Sequence, residues 1–149
     1  MTQPATLDHT GIAARVPHSA SMCLLDRLDA WSAEEIRCRA SSHRDPANPL
    51  RHGGALAAPA AIEYASQAMA LHGSLCAAPG TPPTPGFLAA VRGVNLRVPR
   101  LDDIDGDLHI TACRLLGNAG QAQYSFTLHD ERGKPLVEGR ATVILNSLP

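Results

Sequence analysis

The 149-residue chain carries 13 Lys and Arg against 14 Asp and Glu, for a net charge of −1, with 44% hydrophobic, 18% charged and 3% aromatic residues. This is the composition of one globular domain, residues 1–149, with enough apolar side chains for a core. Balanced charge leaves no field for nucleic acid or an anionic membrane, and so few aromatics provide no stacking surface for single-stranded bases.

Met1 to Ile12 is short and polar and reads as a loosely held lead-in. Asp8 and the lack of a basic, apolar, small-residue series argue against a signal peptide, and no apolar run reaches membrane-spanning length. Met22 to Leu28 reads as a strand ending in charged turn residues. Glu35 to Ser41 alternates Ile36, Cys38 and Ala40 with Arg37 and Arg39, the pattern of a strand with one wet face. His43 to Asn48 is a turn by composition. The four cysteines, Cys23, Cys38, Cys76 and Cys113, are far apart and form no CxxC pair. They predict reduced thiols, a cytoplasmic protein and no zinc site.

The stretch Leu50 to Leu75 is the centre of the chain. It opens on Arg51-His52-Gly53-Gly54 and runs into a helix, with Pro59 early and apolar positions at Ala58, Ile62, Ala65 and Met69 spaced for one buried face. Gly73 is the expected stop. Between Arg51 and Arg92 the only charged residue is Glu63. An outward helix face normally carries charges, so a sheet, another subunit or both must cover this one. A lone carboxyl there needs a partner or a function, and its pKa is expected to rise.

Cys76 to Gly86 holds four prolines and two glycines, so it is a surface connection, either a plain loop or one that gates a substrate. From Phe87 the chain reads as β. Phe87 to Val98 is one long segment with a break at Gly93. Leu101 to Leu108 is an acidic turn without the spacing or terminal Glu of a calcium loop. Leu108 to Leu116, Gln121 to His129 and Leu136 to Leu145 form a meander, with Ala122, Tyr124, Phe126 and Leu128 on one face. Strands, one long apolar helix and then antiparallel strands define an α+β fold with the helix against the sheet.

Three stretches resemble the hotdog-fold 3-hydroxyacyl-acyl carrier protein dehydratases. They are Val16-Pro17-His18 with Cys23-Leu24-Leu25-Asp26-Arg27, Ile62-Glu63-Tyr64-Ala65-Ser66-Gln67, and Leu101 to Leu108 with Gly106-Asp107. HRDPANPLR and IEYASQAMALHG are similar to a divergent branch, the predicted dehydratases of bacterial aryl-polyene-type pigment clusters. The resemblance implies an antiparallel sheet wrapped around one central helix and an acyl carrier protein as partner. It also implies a dimer, homomeric or with another hotdog chain, sites at the subunit interface, and no cofactor. Where the family has His-Phe-Pro-Gly before the helix, this chain has Arg51-His52-Gly53-Gly54, and the segment up to Glu63 is shorter. Glu63 and Gln67 are thus carried over by motif, and His52 by position.

Dehydration removes a proton at C2 of a 3-hydroxyacyl thioester and expels the C3 hydroxyl, so it needs a base, an acid and donors for the thioester oxygen. Glu63 is the expected acid and His52 the base. Backbone N–H groups at the helix start, from Gly53 to Leu56, are expected to receive the thioester oxygen. Gln67, one turn from Glu63, orients the acid or satisfies a neighbouring loop. Competing readings make Glu63 a structural carboxylate and His52 an ordinary loop residue, with His43 as the reserve base. The alternatives for the whole protein are a hotdog thioesterase, or an inactive hotdog subunit that binds acyl carrier protein and a catalytic partner.

Overall fold

The structure, a computed structural model, describes residues 3–16, 22–77, 86–118 and 120–145. Alternation builds the second half of the chain: Leu108, Ile110 and Ala112 point inward on one strand, and Ala122, Tyr124, Phe126 and Leu128 on the next. These residues lie in β5 (Leu108–Gly117) and β6 (Gln121–His129), which continue into β7 (Pro135–Leu145) as the expected meander. The intervening turns are tied locally. Asn118 Oδ1 accepts from the amides of Gly120 and Gln121, and Asp130 Oδ1 accepts from those of Arg132 and Lys134.

The earlier strands are β1 (Leu7–Asp8), β2 (Arg27–Trp31), β3 (Glu35–Ala40) and β4 (Gly86–Leu96). All seven form one antiparallel sheet in the order β1-β2-β3-β5-β6-β7-β4. The helix α2 (Ala61–Cys76), entered through a 3-10 turn at Ala58–Ala60, packs on β3, β5 and β6. Its Ala61, Tyr64, Ala65, Ala68, Met69, Leu71 and Leu75 are buried with the inward face of the sheet. One long helix held in the curve of a seven-stranded antiparallel sheet is the hotdog fold.

Four local expectations are corrected. The lead-in is structured: Asp8 caps the short helix α1 (His9–Ala13) by accepting from Gly11 N at 2.9 Å, and Ile12 is fully buried. Met22 to Leu28 is largely not strand, because β2 begins only at Arg27. Leu24 and Leu25 are buried in extended chain that side chains hold in place of a sheet neighbour. Gly73 does not stop α2, because the helix carries Leu75 into the core before ending at Cys76. Gly93 does not break β4 either. With φ of 63° it sits in an irregularity of the β4–β7 pairing between Arg92 and Asn95, and the strand continues to Leu96. Most of the proline-rich connection, 78–85, lies outside the described residues.

Candidate functional site

Glu63 stands in the first turn of α2, half-buried. Its Oε1 accepts from Gln67 Nε2 at 3.1 Å, the i to i+4 geometry of neighbouring turns. Gln67 is fully buried, and its amide is used at both ends. Nε2 also donates to Met22 O at 2.6 Å, while Oε1 accepts from Leu24 N at 2.8 Å. One side chain thus joins the extended 22–26 segment to the helix and holds the Glu63 carboxylate. A second strap runs from Ser42, whose hydroxyl donates to Leu24 O at 2.7 Å. With that proton committed, the Ser42 oxygen accepts from Tyr64 OH at 2.8 Å, and Tyr64 in turn accepts from Asn48 Nδ2 at 3.1 Å.

His52 lies upstream on a tight turn closed by His52 N to Ala55 O at 2.9 Å and Ala55 N to His52 O at 3.1 Å. Gly53 and Gly54 occupy its centre with φ of 60° and 80°, a left-handed pair that side chains with a Cβ resist. A Cβ on either glycine would meet nothing within 4 Å, so both face open space. Among the described residues neither glycine N–H has a hydrogen-bond acceptor. The His52 side chain and both glycines are exposed or nearly so. Arg51 braces the turn: its guanidinium donates to Gly54 O and to His43 O, each at 3.1 Å. Downstream, Leu56 N donates to Asp102 Oδ1 at 2.8 Å and Leu101 N donates back to Leu56 O at 2.8 Å. Arg100 beside it and the Leu56 amide hold the Asp102 carboxyl well below the usual carboxylate range.

Among the described residues, His43, His72, His109 and His129 are committed elsewhere. His43 is fully buried, donates from Nε2 to Ile104 O at 3.0 Å, and is pushed by burial below its ordinary pKa. That geometry makes it a brace under the loop. His72, on α2, donates from Nε2 to Ser32 O and accepts at Nδ1 from Tyr124 OH, both at 2.8 Å. Burial holds it neutral too. His109 and His129 stack at 5.1 Å on the outer face of the sheet, where they border a depression of about 440 Å³ with Asp29, Arg37 and Thr111. A second depression, between Asp26, Arg39 and Asp107, opens on the same outer side. Neither includes Glu63 or the glycine turn. Among the described residues no three His, Cys, Asp or Glu are grouped to hold a metal ion, and no helix is long and apolar enough to cross a membrane.

Sequence reasoning reached Glu63, Gln67 and the glycine turn, and the structure joins the first two directly. It missed Arg51, Asp102 and the Ser42–Tyr64–Asn48 chain, which bond across long sequence separations and leave no periodic trace.

One long helix wrapped by a seven-stranded antiparallel sheet places the molecule among the hotdog proteins. Residues 10–147 match the family model of the ApeP-like proteins, described as ApeP dehydratase, and the chain belongs to that family. Among solved structures it is similar to the dehydratase heterocomplex ApeI:P from Xenorhabdus doucetiae, at 24% identity over 91% of each chain with a TM-score of 0.79. It is also similar to the thioesterase HI1161 from Haemophilus influenzae, at 17% identity over 99% of this chain and 96% of that one, TM-score 0.68. Zebrafish thioesterase superfamily member 2 aligns at 16% identity over 93% of each chain, TM-score 0.65. No curated protein matches the sequence significantly.

Proposed function

We propose that this chain dehydrates 3-hydroxyacyl groups carried as thioesters on acyl carrier protein, giving the trans-2-enoyl thioester in aryl-polyene-type biosynthesis in the cytoplasm. The observation that carries the reading is the Glu63 carboxyl group, held in the first turn of α2 by an amide that is itself fully buried. In the proposed reaction His52, from this chain or its partner across the interface, takes the C2 proton. The C2–H electron pair becomes the C2–C3 double bond, the C3–O bond breaks, and Glu63 gives that oxygen a proton so that it leaves as water. The N–H groups of Gly53 and Gly54 donate hydrogen bonds to the thioester oxygen as negative charge develops there. Gln67 acts through Glu63 by fixing its rotamer, and so is a positioning residue.

The helix packs on β3, β5 and β6, and the half-buried Leu88, Val91 and Val94 of β4 are the apolar side chains that another hotdog chain would complete. A heterocomplex of that kind is the form of the similar ApeI:P dehydratase.

The test is incubation with a 3-hydroxyacyl carrier-protein thioester, alone and with a second hotdog chain, followed by mass spectrometry of the acyl group. Loss of water is expected, and Glu63→Gln should lower the rate by about 10²–10⁴-fold with an unchanged melting temperature. Release of a free thiol would identify a thioesterase instead. Full activity in the variant would remove Glu63 from the chemistry.

A further inference from the structure

Among the described residues the edge strand β4 has a sheet neighbour on one side only, β7. Natural edges are usually blunted by charges, prolines or short length. β4 runs for 11 residues with no proline and one charge, Arg92. Its inner-face side chains Leu88, Val91 and Val94 are only partly buried, and Leu96 is 48% exposed. Such an edge is built to be continued by another strand.

The one charge decides which strand. Arg92 pairs directly across the ladder with Arg140 of β7, both exposed on the outer face. Like charges directly opposite each other are unfavourable in a sheet. Among the described residues neither arginine has an ion-pair partner. Their neighbour Arg97 has already taken Glu138, the one acidic residue on this part of β7. The segments 17–21, 78–85 and 146–149 contain no acidic side chain that could supply the missing charge. This corner of the outer face therefore holds three arginines and one glutamate.

A second copy of this chain is the wrong occupant. Arg92 is one position from Val91, the middle residue of β4. Two copies paired antiparallel about the strand centre would bring their Arg92 side chains to diagonal positions, about 7–8 Å apart. That is within the roughly 8 Å screening length at physiological salt.

We propose that the β4 edge selects a different hotdog chain, one whose edge strand presents Asp or Glu on its outer face opposite Arg92 and Arg140, and that the arginine pair disfavours self-pairing. The inference rests on the reading that this chain works beside a second hotdog subunit, and it adds the charge rule by which that subunit is chosen.

Its test needs no substrate, so it stands or falls apart from the dehydratase reading. The doubly reversed chain Arg92→Glu/Arg140→Glu serves as an acidic-edged hotdog surrogate. Sedimentation equilibrium is run on the native chain, the reversed chain and their equimolar mixture at low and high salt, with circular dichroism to establish that each is folded. The mixture should form a 1:1 pair about tenfold tighter than the native chain's own dimer. Salt should weaken the mixed pair and strengthen native self-association. Arg92→Gln/Arg140→Gln should self-associate more tightly than the native chain and lose the salt dependence. Three results would overturn the proposal: a tight native homodimer indifferent to charge reversal, a mixture no tighter than its components, or monomers throughout.

Discussion

Replacing Gln67 with Met separates hydrogen bonding from packing, because the two side chains are close in volume and Met has nothing to offer Leu24 N, Met22 O or Glu63. The Leu24 amide loses its 2.8 Å acceptor and the Met22 carbonyl its 2.6 Å donor, beside a side chain fully shielded from water. An unsatisfied buried backbone group costs about 1–3 kcal/mol, so the two together cost about 4 kcal/mol at mid-range. Glu63 is half-buried and regains water in exchange for the amide, which adds little. For a domain with about 5–15 kcal/mol of total stability this is a large loss. In urea, with a slope of about 1–3 kcal/mol per molar, the midpoint should fall by roughly 1–4 M, and the melting temperature by roughly 8–16 °C. Turnover should fall as well with little change in KM, since the acid loses its orientation and no substrate contact is lost. A midpoint shift below about 0.3 M urea, or native kcat in the folded variant, would refute the assignment of Gln67 as the strap between the 22–26 segment and the acid.

Gly53→Ala and Gly54→Ala force a Cβ into left-handed backbone at φ of 60° and 80°. Each should cost about 1 kcal/mol in a denaturation titration, with a larger proportional fall in kcat/KM if their amides hold the thioester oxygen. His43 and His72 are both held below the ordinary histidine value of 6.5 by burial. Both are neutral in either state above pH 6.5. Below it the unfolded chain takes up protons first, so stability should be greatest above pH 6.5 and decline as pH falls toward the folded values. His72→Gln, which keeps a donor for Ser32 O, should flatten that decline in urea titrations between pH 7 and 5. Cys38 is buried with its thiol pushed up to about 12, whereas Cys76 is exposed. Iodoacetamide at pH 8 should leave Cys38 unmodified until the chain unfolds and modify Cys76 sooner, as read by peptide mass spectrometry; equal rates at the two thiols would contradict the burial of Cys38.

The parts of the fold legible in the sequence are those with a period. The alternation of Tyr124, Phe126 and Leu128 marked β6, and the three-and-four spacing of Ala58, Ile62, Ala65 and Met69 marked the inner side of the central helix, where Ile62 alone stays partly exposed. The i to i+4 placement of Glu63 and Gln67 made their contact readable as well. The errors fall where long-range bonds override local pattern. Cys23-Leu24-Leu25 has the density of a strand, yet Gln67 and Ser42 hold it as extended chain outside the ladder. Gly73 reads as a terminator, but the burial of Leu71 and Leu75 on either side outweighs its poor propensity. In the site, the turn carrying His52 was legible from Gly53-Gly54. Its brace was not, because Arg51 reaches back to His43 and Leu56 reaches forward to Asp102, distances that no periodicity encodes.

The mooring of Leu56 to Asp102 puts the approach to α2 and the turn between β4 and β5 in one mechanical unit, reinforced where Ala58 N donates to Pro99 O at 3.1 Å. Arg100 and Asp103 stand exposed on that unit's surface. A protein that docked there and drew Arg100 away from Asp102 would tug on the peptide just beyond Ala55. The glycine turn would then feel the visitor's arrival without being touched by it.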